Sequence, residues 1–247
     1  MLASALDEAG TDSKKTIACF ERLLELNPSQ VDGYKALERL YMDEGNDEGR
    51  IRVLRQLVER LDESKRGEAL VTLGELQFQN DDMEDAVESL SRAVAQGGTL
   101  PEELRTVAFH LLFDALETQE RWFDLSQALG QQIEFVKDLD ARKAILFRLA
   151  ELEENRLENQ DKAVEHYRSI VALDPDEEAA TEVLFKLLDQ TGRYTELEQL
   201  LSDQAELTTD DQSRRSLLER LAQIRLEELT QPDQAMDALG RLVEDGH

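Results

Sequence analysis

Residues Leu149–Pro175 read LAELEENRLENQDKAVEHYRSIVALDP, and this stretch decides the fold. Leu146, Leu149 and Leu152 recur at helical spacing up to a polar turn. A second helix then runs toward Asp174-Pro175, where proline ends it. Two other segments align with this one without a gap: LASALDEAGTDSKKTIACFERLLELNP from Leu2 and LAQIRLEELTQPDQAMDALGRLVEDGH from Leu221. A fourth, LGELQFQNDDMEDAVESLSRAVAQGG from Leu73, fits with one residue missing from its turn. The second helices are expected to start near SKK, MED, DKA and DQA, and Asn27-Pro28 punctuates the first copy as Asp174-Pro175 does the third.

Units of a second flavour alternate with these. They begin at Leu37, Leu112 and Leu184 and carry the polar turns DEGND, TQER and QTGR. Phe113 and Phe185, Arg121 and Arg193, Leu125 and Leu197, Ala150 and Ala222, and Ala163 and Ala235 all lie 72 residues apart. The repeating unit is therefore a pair of helical hairpins. One hairpin cannot bury its apolar stripe alone, whereas a stacked neighbour can. Small residues mark the expected close approaches: Gly74, Ala150 and Ala222 on first helices, Ala86, Ala163 and Ala235 on second helices. Large residues follow the second set four positions later, at Leu90, Tyr167 and Leu239, so facing helices can interlock.

These residues resemble the tetratricopeptide repeat, whose unit of about 34 residues places Leu-Gly on the first helix, Ala and an aromatic on the second, and Pro at the end. Leu73 and Gly74 supply the first pair, Ala163, Tyr167 and Pro175 the second set, and Phe20 and Pro28 match in the first copy. The resemblance covers nearly the whole chain. It implies an all-α, right-handed α-solenoid of tandem antiparallel hairpins. It also implies a single repeat domain over 1–247, with a partial repeat at 1–30 and repeats at about 31–66, 67–100, 101–139, 140–176, 177–211 and 212–247. The signature Trp is missing from its usual place. Glu38, Phe113 and Phe185 stand where the family has a small residue, so wider packing is expected in those units. The truncated first repeat suggests a segment of a longer array.

Composition agrees with an all-helical chain. Of 247 residues, 40% are hydrophobic, and there are only 4 Pro and 12 Gly. The net charge of −27 disfavours phosphate backbones and anionic lipid, so neither nucleic acid nor membrane is expected as a partner. No apolar run approaches the roughly 18 residues of a membrane span. The N-terminus lacks the basic and apolar regions of a signal peptide, and a cytoplasmic location is expected. Cys19 is the only cysteine; lying in the apolar stretch TIACFERLL, it is expected to be a buried thiol.

Catalytic patterns are missing. There is no phosphate-binding glycine loop, and GTDSKK at 10–15 lacks the glycines one needs. His247 is terminal, His110 and His166 have no Cys or His neighbour at metal-ligand spacing, and DEGNDEG at 43–49 lacks the closing Glu of a calcium loop. No enzyme activity, cofactor or metal is expected. Trp122, which follows TQER where the sister unit has Tyr194, reads as an aromatic wedge at its turn.

The family resemblance implies that first helices line a concave face. The inward stripe would then hold Lys35, Arg39 and Met42; Val71, Glu75 and Phe78; His110, Asp114 and Glu117; Phe147, Glu151 and Glu154; Glu182, Lys186 and Asp189; and Glu219, Gln223 and Leu226. Lys35 and Arg39 could begin the carboxylate clamp some relatives use, but Glu68 and Glu75 stand where further basic residues would be needed. A mixed acidic groove anchored by Met42, Val71, Phe78 and Phe147 instead suits a basic amphipathic protein segment. Two other readings are a regulatory or sensor array serving an effector outside this chain, and an acidic mimic of nucleic acid. Open apolar residues on the last helix, Met236, Leu239, Leu242 and Val243, and on the first, Leu2 and Leu6, would favour end-to-end contacts between copies.

Overall fold

A computed structural model describes residues 13–244, and no strand occurs among them. Thirteen α-helices follow one another: α1 (Ser13–Leu26), α2 (Val31–Asp43), α3 (Asp47–Val58), α4 (Glu63–Gln79), α5 (Met83–Val94), α6 (Glu102–Thr118), α7 (Trp122–Ile133), α8 (Leu139–Asn155), α9 (Gln160–Leu173), α10 (Glu178–Gln190), α11 (Tyr194–Leu207), α12 (Asp211–Glu227) and α13 (Pro232–Glu244). A short 3-10 turn, Gly97–Thr99, precedes α6. The chain divides into two compact units, the first ending at Ala128 and the second starting at Leu129, with the division inside α7. Leu2, Leu6 and His247 lie outside the described residues, as do the side chains of Leu242 and Val243.

The turns inside the hairpins share one backbone device. Each contains a residue with positive φ: Gly45, Asp81, Glu120, Glu158, Gly192 and Thr230. A left-handed residue lets the chain fold back over the helix end and satisfy its last carbonyls. The amides of Asn46, Asp82, Arg121 and Arg193 accordingly donate to the carbonyls of Tyr41, Gln77, Leu116 and Leu188. The next helix often opens on a side-chain cap. Asn46 accepts from the Gly49 amide, Asn159 from Lys162, Asp138 from Ala141 and Asp210 from Ser213. These bonds satisfy amides that a helix start leaves bare. The Thr99 hydroxyl donates to the Gln96 carbonyl, and α6 starts after Pro101 without a side-chain cap.

In the first unit, helices adjacent in sequence pack together from α1 to α6, and the first helices α4 and α6 also touch. Gly74 on α4 faces Leu90 on α5, and Leu70, Leu90, Ala86 and Ala108 are all fully buried. Gly49 at the start of α3 sits against the Tyr41 ring. The Tyr41 hydroxyl donates to Glu21 Oε1 at 2.7 Å and accepts from Arg52 Nη2 at 2.8 Å, joining α1, α2 and α3. Gln77, 2% exposed, turns its carboxamide nitrogen to the Ser89 hydroxyl and the Asp85 carbonyl, a buried polar link between α4 and α5. Second helices are also tied across the surface. Arg55 on α3 pairs with Asp85 on α5, and Arg92 on α5 reaches Glu59 at the end of α3.

The second unit is built on one apolar cluster. Leu146 and Ala150 of α8, Ala163, Tyr167 and Ile170 of α9, Leu184 and Leu188 of α10, Leu197 and Leu201 of α11, Leu218 and Leu221 of α12 and Ala238 of α13 all belong to it. Phe147 packs on this cluster and meets the Tyr167 ring edge to face at 6.2 Å. Burial, together with the carboxylates of Glu154 and Glu151, raises the Tyr167 hydroxyl to about 12. Lys143, near the start of α8, donates to Asp174 at 2.6 Å and Glu177 at 3.2 Å, so the ammonium fastens the linker between α9 and α10. Across the second helices, Glu196 of α11 pairs with Arg168 of α9, and Arg193 reaches Asp161.

One reading of a single residue changes. Cys19 is exposed, not buried. Ile17, Phe20 and Leu24 carry the inward stripe of α1, and Cys19 falls on the other side of that helix. Glu38, which stands where the family has a small residue, forms an ion pair with Arg50 at 2.8 Å inside its own hairpin. Helix α4 opens at Glu63, and Arg66 on its first turn donates back to the Val58 and Leu61 carbonyls.

Candidate partner-binding faces

Stacking buries the inner stripe of each first helix and leaves its outer stripe to water. In the first unit, Lys35, Arg39 and Met42 of α2 are exposed. On α4, Glu75 is exposed and Phe78 half-buried. Val71 is 2% exposed and belongs to the core. The reason is that α4 contacts both α5 and α6, so its buried arc is wider than one apolar stripe. On α6, His110 and Glu117 are exposed, and His110 Nδ1 lies 3.2 Å from Asp114 Oδ2.

In the second unit, Glu151 on α8 is exposed while Glu154 and Phe147 are half-buried against Tyr167. Glu182, Lys186 and Asp189 on α10 are exposed, as are Glu219, Gln223 and Leu226 on α12. Phe147 is thus partly consumed by the core. Trp122 and Tyr194 open α7 and α11 and are half-buried. Among the described residues, no three His, Cys, Asp or Glu side chains group so as to hold a metal ion, and no helix is long and apolar enough to cross a membrane.

A cleft of about 520 Å³ opens in the second unit between the first helices α10 and α12. Glu178, Thr181, Glu182 and Phe185 line it from one face of α10, and Ser213, Ser216 and Leu217 from α12. Pro175 and Asp176 of the linker and Gln204, Leu207 and Thr208 at the end of α11 complete it. Unlike α4 and α6, these two helices do not pack closely. Phe185 occupies the position equivalent to Gly74, and the Arg220 guanidinium lies 5.3 Å over its ring with Nη2 3.7 Å from Asp189. The cleft itself was not foreseen, although the spacing of Glu178, Glu182 and Phe185 puts two carboxylates and a ring on one side of α10.

Residues 144–177, which span most of α8 and all of α9, match the tetratricopeptide repeat. No curated protein matches the sequence. Similar solved structures include MamA, at 16% identity and TM-score 0.38 over 87% of this chain and 91% of that one. They also include YrrB, described as a tetratricopeptide-repeat protein with an unusual peptide-binding site, at 17% identity and TM-score 0.40 over 73% and 87%. A third is a tetratricopeptide-repeat protein from Parabacteroides merdae, at 15% identity and TM-score 0.37 over 92% and 79%.

Proposed function

We propose, from the premise that this all-helical chain contains the tetratricopeptide repeat its sequence resembles, that it is a non-catalytic scaffold binding a basic, amphipathic protein segment. Tetratricopeptide repeats hold protein or peptide partners. The observation that supports the finer reading is the make-up of the open faces of the first helices. Carboxylates are exposed there at Glu75 and Glu117 in the first unit and at Glu151, Glu182, Asp189 and Glu219 in the second. Met42, 48% exposed, and the half-buried Phe78 and Phe147 supply apolar contacts beside them. The net charge of −27 adds long-range attraction for a cationic segment.

Calorimetry with a panel of basic amphipathic peptides and their acid-for-base reversals tests this. The basic peptides should bind, and binding should weaken as salt rises. Glu75→Lys together with Asp114→Lys should weaken peptides that use the first unit. Equal binding of the reversed peptides would sink the reading, and salt-independent affinity would shift the main role to Met42, Phe78 and Phe147.

A further inference from the structure

We propose that the cleft between α10 and α12 is a pocket for an arginine side chain flanked by aliphatic residues on the partner segment. This rests on the reading of the chain as a binder of basic segments, and it assigns one place and one chemistry. The lining holds three carboxylates, Asp176, Glu178 and Glu182, and no lysine or arginine. Beside them lie four apolar residues, Pro175, Phe185, Leu207 and Leu217. Leu207 is 56% exposed and Phe185 only 7%, so the aliphatic surface stands at the rim and the ring lies at the floor. Carboxylates beside apolar walls suit a cation carried on a long apolar stem.

Two basic side chains near the cleft already have partners. Arg214 donates to the Thr208 carbonyl, and Arg220 sits between Phe185 and Asp189. The second contact places the chain's own guanidinium over the one aromatic ring of the lining, with a carboxylate beside it. A planar guanidinium donates two parallel N–H bonds from its fork to a carboxylate, a geometry an ammonium lacks. At about 520 Å³ the cleft has room for one such side chain and part of its neighbours.

The test uses the full chain labelled with 15N and three blocked tripeptides, acetyl-Leu-Arg-Leu-amide, its citrulline analogue and its glutamate analogue. Citrulline keeps the shape of arginine and removes the charge. The arginine peptide should shift the amides of Thr181, Ser213, Ser216 and Leu217. The citrulline peptide should bind about tenfold more weakly, and the glutamate peptide should leave these amides unmoved. Glu178→Gln with Glu182→Gln should reduce the arginine affinity about tenfold. Both side chains are exposed, so the double variant should keep its helical spectrum and melting temperature. Glu75→Gln with Asp114→Asn should leave the cleft shifts unchanged. Shifts confined to α4 and α6 would overturn the pocket and leave the scaffold reading standing, as would cleft shifts insensitive to the α10 changes. No shift anywhere with the arginine peptide, combined with no binding of longer basic peptides, would remove both.

Discussion

Gly74 and Leu90 are locked together: a Cβ placed on Gly74 would lie 2.5 Å from Leu90 Cγ, and Leu90 is fully buried. The same substitution at a helical glycine should therefore have opposite signs at different places. Gly74→Ala gains about 1 kcal/mol of helix propensity but must push Leu90 into a filled core, which costs about 1–3 kcal/mol. A net loss is expected. Gly130 on α7 has nothing within 4 Å of its would-be Cβ, so Gly130→Ala should gain up to about 1 kcal/mol. Urea denaturation of both variants measures this, and a stabilised Gly74→Ala would contradict the close approach.

The turn residues with positive φ make a second comparison. Glu120 at φ 53° occupies a left-handed conformation that only glycine adopts without cost. Glu120→Gly should stabilise by roughly 0.5–1 kcal/mol, whereas Gly45→Ala and Gly192→Ala should each destabilise by about 1 kcal/mol. The effects should appear in thermal midpoints and leave helix content unchanged.

Ala163 is fully buried on α9, and Ala235 is 3% exposed on α13. Ala163→Arg places a charge in the apolar cluster of the second unit with no outlet, and a loss above about 3 kcal/mol is expected. Ala235→Arg should be milder, because Met236 and Leu239 on the same helix are 63% and 48% exposed and water is near. Equal melting-temperature losses would contradict this difference in surroundings.

Lys143 holds Asp174 below the usual carboxylate range through a hydrogen bond and its charge, and the Lys143 ammonium is raised in turn, first by its bond to Asp174. A carboxyl lowered in the folded state contributes stability above its unfolded pKa of about 3.9, and that contribution is lost as pH falls through the folded value. A raised ammonium contributes below its unfolded pKa of about 10.4, and this is lost as pH rises through the folded value. Lys143→Met should therefore lower the thermal midpoint at pH 7. The gap to the parent chain should narrow below pH 4 and again in strong alkali. A gap independent of pH would mean that Lys143 acts through packing alone.

Much of this was legible in the linear chain. The gapless alignment of Leu149–Pro175 on the Leu221 copy predicts helix, turn and helix, and α8, α9, α12 and α13 follow it. Register between Gly74 and Leu90 also shows in the repeat, because small and large residues alternate at fixed positions. Burial of individual residues was less legible. Cys19 lies within an apolar run but off the stripe of Ile17, Phe20 and Leu24. Val71 lies on the stripe taken as open, and a second neighbouring helix covers it.

Local periodicity and turn chemistry set the helices by themselves, since hydrogen bonds within a helix and caps at its ends involve residues only a few positions apart. Covering a face is a different problem, because it depends on how closely helices distant in sequence approach. Gly74 leaves room for Leu90 inside its hairpin, and α4 and α6 meet. Phe185 at the equivalent place stands between two first helices with Arg220 on its ring, and a cleft remains. Only tertiary packing shows that Leu207, Ser213 and Ser216 join Glu178 and Glu182 around that space.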